Sequence, residues 1–244
     1  MRKIRQQTVV QLTYLPNLFP VNCYLVEEED SLTLVDAALP ANAPAIRKAA
    51  EEMGKPITRI VLTHAHGDHV GSLDALKKQL PDVRVYISDR DARLLRGDST
   101  LLDGEEQLPI RGDVPKKIET LPDVRLQDGD RIGSLLALST PGHTPGSMSF
   151  YDERTGVLIA GDAFAARGGL AVAGHMKLSF PFPALATWSP LASLESARKL
   201  ADTHPAWLAV GHGNMIAKPE QAMRKAIAEC EQRLFKKGVI KHVT

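Results

Sequence analysis

The sequence predicts an α/β chain folded as a four-layer αββα sandwich, with two packed mixed β-sheets between outer layers of helices. Three observations predict it. Apolar strand-like runs lead into helical patterns in both halves of the chain, and antiparallel hairpins are mixed in among them. The 244 residues, 43 % apolar and 24 % charged, are enough to bury a full core within one domain spanning 1–244.

The elements follow in order. Short strands are expected at 9–12, 23–27 and 32–36, the last two joined as a hairpin by the acidic turn Glu27-Glu28-Glu29-Asp30. Residues 40–53 read as an amphipathic helix with Ile46, Ala49, Ala50 and Met53 on one face, ending at Gly54. The β-branched run 59–63 reads as a strand buried on both faces. A helix over 72–80 stops at Pro81, a strand occupies 83–87, and Ser88 caps a short helix to Arg96. Residues 97–117 are long for a plain connection and read as a candidate lid. Asp128-Gly129 and Thr155-Gly156 mark turns around strands at 135–139, 147–152 and 157–160. An irregular stretch, 163–187, precedes a helix opened by Ser189-Pro190 and running to Ala201. A strand at 206–210 and a closing helix over 219–237 complete the chain.

The chemistry is concentrated at strand ends. After strand 59–63 the chain reads Thr-His-Ala-His-Gly-Asp-His, so three of its eight histidines and one aspartate fall between His64 and His69. Neutral imidazoles with a carboxylate, fixed at the end of a buried strand, are what a borderline-soft divalent metal needs. Three later strands also end in a glycine followed directly by a candidate ligand: Gly142-His143, Gly161-Asp162 and Gly211-His212. Five histidines and two aspartates are more than one tetrahedral ion can use and match two metals sharing seven ligands.

The loop His64-x-His66-x-Asp68-His69, followed by His143, Asp162 and His212 in that order, resembles the metallo-β-lactamase-fold hydrolase superfamily. Transferred position by position, the resemblance implies His64, His66 and His143 on one metal and Asp68, His69 and His212 on the other, with Asp162 bridging both. Asp36 matches the family aspartate that orients a ligand histidine. The cofactor implied is a pair of divalent ions, zinc first, with iron and manganese as alternatives. A metal-bridging hydroxide would attack a carbonyl or phosphoryl centre, with Asp68 as the catalytic residue that orients it or relays its proton. No serine or cysteine nucleophile is required, so Ser72, Cys23 and Cys230 read as structural.

Departures from family branches narrow the substrate. Asp162 and the lack of a leader argue against β-lactamases of the subclass sharing this loop. Ala165 stands where quorum-quenching lactonases carry a tyrosine, and only 32 residues follow His212, few for a glyoxalase II glutathione region. The expectation is a metal-dependent hydrolase of a small ester, lactone or thioester. Alternatives are a glyoxalase II-like thioesterase and a mononuclear-iron oxidoreductase resembling persulfide dioxygenases. Phe164, Phe180, Phe182 and Trp188 read equally as an apolar pocket wall or as a local core under a long loop. His175, His204 and His242 read as surface histidines.

The hydrolase reading implies a small-molecule substrate, and the net charge of +1 suggests no nucleic-acid or membrane partner. The charged N-terminus leads into no apolar stretch of signal-peptide length, and no run approaches the ~18 apolar residues of a membrane span, so the expected location is the cytoplasm.

Overall fold

The computed structural model describes residues 1–240. Its first sheet holds β1 (Arg2–Gln6), β2 (Val9–Tyr14), β3 (Val21–Glu27), β4 (Leu32–Val35), β5 (Ile57–Val61), β6 (Arg84–Ser88) and β7 (Val124–Leu126), in that spatial order. The pairings from β1 to β4 are antiparallel and those from β4 to β7 parallel. The second sheet is built from β8 (Arg131–Ile132), β9 (Leu135–Ser139), β10 (Met148–Asp152), β11 (Val157–Ile159), β14 (Trp207–Ala209) and β15 (Ile216–Ala217). Its order is β15-β14-β11-β10-β9-β8, antiparallel except for the β11–β14 pair. A two-stranded ribbon, β12 (Phe164–Ala165) with β13 (Ala171–Val172), stands apart from both. The helices are α1 (Ala43–Glu52), α2 (Gly67–Val70), α3 (Leu73–Gln79), α4 (Asp89–Leu95), α5 (Phe182–Leu185), α6 (Pro190–Ala201) and α7 (Glu220–Lys236).

Three buried clusters make four layers of this. Alternate residues of a strand face opposite sides, and β3 sends Cys23 and Leu25 one way and Tyr24 and Val26 the other. The first set packs with Ile46 of α1, Leu76 of α3 and Leu94 of α4. The second meets Phe150, Val157 and Ile159 of the facing sheet, forming the central core. Leu158 and Leu208 of that sheet turn outward against Leu194 and Ala197 of α6 and Met223 and Ala226 of α7. Both sheets are therefore buried on both faces, the two-sided burial that near-continuous apolar runs such as 59–63 predict.

Differences from the sequence reading are confined to short or polar elements. The N-terminal residues form β1, an edge strand whose exposure alternates along Arg2, Lys3 and Arg5; charge on an edge strand disguises it as a solvated tail. Helix α1 starts three residues later than expected, because the Leu39 amide donates to Asn42 Oδ1 and closes a turn first. The stretch 163–187 contains β12, β13 and α5, and the helix over 72–80 is preceded by the separate turn α2. Residues 97–123 form no helix or strand. Cys23 and Cys230 are free and buried, and Ser72 is structural, donating to the Leu39 carbonyl. Among the described residues no helix is long and apolar enough to cross a membrane.

Candidate metal centre

The parallel strands β4 and β5 of the first sheet and β9, β11 and β14 of the second release their chains at one end of the sandwich. There the backbone of Met148 donates to Thr63 O at 2.8 Å and joins the two sheets. The loop after β5 carries His64, His66, Asp68 and His69, with His143 after β9, Asp162 after β11 and His212 after β14. All seven side chains converge. Their ligand atoms form three overlapping groups, His64/His66/His143, His64/His69/Asp162 and Asp68/His69/His212, each with its atoms within 4.8 Å of one another.

The glycines at these strand ends have separate reasons. Gly161 has φ +50°, a backbone that side-chain-bearing residues rarely adopt. Gly211 leaves room: a Cβ there would lie 2.0 Å from Asp162 Oδ1 and 2.7 Å from His69 Cε1.

Each imidazole is tied at its outer nitrogen. His69 Nδ1 donates to Asp36 Oδ2 at 2.8 Å, and His212 Nδ1 to the Pro20 carbonyl at 2.7 Å. His66 Nε2 donates to the Arg111 carbonyl at 2.9 Å. Thr63 Oγ1 gives its proton to Asp36 Oδ2, so it accepts from His64 Nδ1 at 3.0 Å. Thr187 Oγ1 gives its proton to the Pro183 carbonyl and accepts from His143 Nδ1 at 3.2 Å. These bonds fix all five tautomers, leaving the inner nitrogens as bare lone pairs. The His66 Nδ1 to His143 Nε2 separation of 3.0 Å thus sets lone pair against lone pair. Asp162 adds carboxylate oxygens 3.5 Å from His69 Nε2, 3.4 Å from His143 Nε2 and 3.1 Å from His212 Nε2. Asp68 Oδ2 lies 3.4 Å from His212 Nε2.

A buried surface made only of acceptors is stable around a cation. Tetrahedral ligands at about 2.0–2.1 Å from an ion lie roughly 3.3 Å apart, near the middle of these separations. His64 Nε2, His69 Nε2 and Asp162 Oδ1 are buried with no hydrogen-bond partner, which a metal bond would supply. The donor set fits zinc, iron or manganese.

Without a cation, protons take over part of its role. Burial works against charge on His69 and His212, but the carboxylates of Asp162 and Asp68, with Asp36 beside His69, overcome it; His69 is pushed up to about 10 and His212 is also raised. His64 and His143 go the other way: burial and neighbouring imidazoles hold His64 well below its usual value and His143 down at about 3. Asp162 stays ionised because His212 and His69 outweigh its burial.

The centre opens on a cleft of about 300 Å³ lined by Phe19, Asp113, Phe182, Pro183 and Ala186 besides the ligands. Phe19 packs against His212 at 5.1 Å and Phe182 at 5.3 Å between ring centroids.

The metallo-beta-lactamase superfamily model matches residues 16–212. The chain belongs to this family. It is 56 % identical over 232 residues to the uncharacterised protein YobT of Bacillus subtilis, covering 95 % of this chain and all of YobT. It is 29 % identical over 161 residues to a hydroxyacylglutathione hydrolase of Synechococcus sp., covering 65 % of this chain and 55 % of that enzyme. The solved structure of TTHA1623 in a di-iron-bound form superposes with TM-score 0.64 at 28 % identity, covering 87 % of this chain and 96 % of that one.

Within this family fold the structure separates the remaining sequence candidates. Asp36, at φ +63°, accepts from the Thr63 amide and hydroxyl as well as from His69, so one carboxylate orients two imidazoles. The aromatic cluster divides: Phe182 lines the cleft, Phe180 is buried against Phe19 and His212, and Phe164 belongs to the core under α6 and α7. Trp188 faces another cavity, with His175, which is half-buried there. His204 is exposed, and His242 lies outside the described residues. The 97–117 loop borders the cleft through Asp113 and holds His66 through the Arg111 carbonyl.

Sequence reasoning missed Asp91, which lies within the short helix read after the Ser88 cap. It is fully buried and accepts from Ala65 N at 3.0 Å, Thr144 Oγ1 at 2.7 Å and Gly146 N at 2.9 Å. It therefore clamps the His64–His66 loop to the His143 loop, and burial lifts its pKa to about 6 against those donated bonds. Phe19, Thr187 and the Pro20 carbonyl were missed as well, since nothing local marks a loop that reaches the site from 40 or more residues away.

Proposed function

We propose that this chain is a cytoplasmic hydrolase that uses two divalent ions to cleave a small ester, lactone or thioester. The observation that carries the reading is the convergence of five imidazoles, each tied at its outer nitrogen and bare at its inner one, on two carboxylates. His64, His66 and His143 would hold one ion, Asp68, His69 and His212 the other, and Asp162 reaches residues of both groups. Bound there, the ions lower the pKa of water to about 7 and polarise a carbonyl oxygen.

The chain's own side chains supply the rest. Asp68 is 22 % exposed while the other six are buried, so its carboxylate meets the cleft and can carry a proton from water to the leaving group. Phe19 and Phe182 present apolar surface for the acyl part of a substrate. Among the described residues no Lys or Arg lines the cleft, and Asp113 adds a carboxylate. That balance favours a neutral acyl compound over a β-lactam or a glutathione thioester, whose carboxylates call for a cationic partner. Free cysteines accord with a reducing compartment.

The test is a panel of esters, lactones, acyl thioesters including hydroxyacylglutathione, phosphodiesters and a cephalosporin, with metal-reconstituted protein and oxygen uptake recorded in parallel. Turnover of neutral carbonyl compounds that stops on chelation is the expected result. Oxygen consumption on a persulfide with no hydrolysis of any compound would replace the proposal by an oxidoreductase.

A further inference from the structure

On the far side of α5 from the metal cleft lies a second cavity of about 380 Å³. Phe182, Pro183 and Ala186 face the cleft, whereas Ala184, Leu185, Thr187 and Trp188 face this cavity, so the short helix and the residues after it form a partition. The opposite wall is α7, through Cys230, Arg233 and Leu234, with Lys237 just past its end, and the floor is the loop residues Glu106, Leu108 and Arg111. Its size falls within the range of small-molecule sites.

Two properties define what would fit. The walls are mainly apolar, with Leu108, Leu185, Trp188, Leu191 and Leu234 among the lining residues. The polar part is cationic: Arg111, Arg233 and Lys237 line it against one carboxylate, Glu106, which is engaged by the Ser189 hydroxyl. Among the described residues none of these three cations has a carboxylate partner, although most other basic side chains near α7 do, such as Lys177 with Glu229 and Arg198 with Glu231. His175 Nδ1 is buried in the same wall without a partner. Burial first, then Lys177 and Arg233, hold that imidazole below its usual pKa against the opposing pull of Glu229.

We propose that this cavity is a second binding site, for an amphipathic carboxylate of medium chain length, its head between Arg111, Arg233 and Lys237 and its chain against Trp188, Leu191 and Leu234. Guanidinium groups pair with carboxylates through parallel hydrogen bonds, and the apolar walls reward a chain that leaves water. The site also touches the metal centre through the partition, since Thr187 holds His143 Nδ1 and the Trp188 amide donates to the His143 carbonyl at 3.0 Å. The proposal does not depend on which reaction the cleft performs.

The experiment is titration of the metal-loaded protein with decanoate below its micelle concentration, by calorimetry and by Trp188 fluorescence, with Trp188→Phe identifying the signal. Acetate and decanol serve as the head-only and chain-only probes. One decanoate per chain is expected, with acetate silent at the same concentrations and decanol weaker by about tenfold or more. Arg233→Glu should weaken decanoate by about tenfold or more, and Ala184→Phe, which fills the cavity from α5, should abolish binding. The variants act on opposite walls, so misfolding of one, seen in its melting curve, leaves the other decisive. Binding equal to that of acetate would place the carboxylate on the metal instead. Undiminished binding in both folded variants, or no decanoate binding at all, overturns the proposal.

Discussion

Replacing Asp36 by Asn should damage the metal centre more than replacing it by Ala, although Asn is nearly the same size. Asn tolerates the left-handed backbone at φ +63°, so the main chain is left alone. Its Oδ1 can keep the Thr63 amide bond, but an NH2 group then stands where Oδ2 accepts from both His69 Nδ1 and Thr63 Oγ1. Facing a donor, His69 must move its proton to Nε2, the nitrogen aimed at Asp162 and Asp68. Thr63, now accepting from Asn, turns its own hydroxyl proton toward His64 and drives that ring's proton inward too. Losing one orienting partner typically lowers metal affinity about 10–100-fold; with two rings affected, the upper end, about 100-fold or 2.7 kcal/mol, is expected. Ala leaves His69 free to keep its tautomer and should lose less affinity, while costing the metal-free protein about 1–3 kcal/mol because the buried Thr63 amide and hydroxyl lose the carboxylate they donate to. Competition titration against a chromophoric chelator, with melting curves of metal-free and loaded protein, reads both quantities. Asn binding metal within about twofold of the parent, or Ala binding more weakly than Asn, would refute the tautomer argument.

Metal loading at pH 7 should release at least about one proton per chain, because His69, pushed up to about 10 without metal, must be neutral to ligate; calorimetry in buffers of different ionisation enthalpy measures it. The same shift has a stability consequence of defined sign. A folded-state value above the ordinary 6.5 contributes stability that is full below pH 6.5 and lost as pH rises through about 10, so the metal-free protein should weaken across that window in denaturant titrations. Gly211→Ala puts a Cβ against Asp162 and His69 and should lower stability by about 1–3 kcal/mol together with metal content, both read on one purified sample. Phe182→Ala should raise KM for longer acyl substrates with little change in melting temperature, because the ring is 53 % exposed at the cleft. Phe180→Ala, 5 % exposed, should instead destabilise by about 3–5 kcal/mol; a reversed pattern would exchange the two roles.

The candidate ligands were legible because they gather just past the ends of apolar strands, His64 directly after a threonine and His143, Asp162 and His212 directly after a glycine, so local sequence states both the element and the side chain presented near its end. The helices after Ser88 and Ser189 were legible for a similar reason: each cap accepts from an amide three residues on. Of the residues that hold the ligands, Asp36 was legible through the family resemblance and the others were not. Asp91 takes its partners from 26 and from 53 to 55 residues away, and its sequence neighbourhood describes a helix start. Strands β8, β12, β13 and β15 are two residues long and carry no periodicity to detect. The aromatic cluster near α5 could be read two ways because both readings hold, for different rings.

Two of the five imidazoles are oriented by main-chain carbonyls, those of Pro20 and Arg111. A carbonyl is common to every residue type, whereas Asp36, Thr63 and Thr187 act through side chains. The loops around Pro20 and Arg111 also bring Phe19 and Asp113 to the cleft mouth. Their side chains can therefore be changed while the peptide groups of Pro20 and Arg111 go on aiming the same two nitrogens. Changes at Phe19 and Asp113 should reshape the cleft more than they redirect the two nitrogens, although Phe19 also packs on the His212 ring.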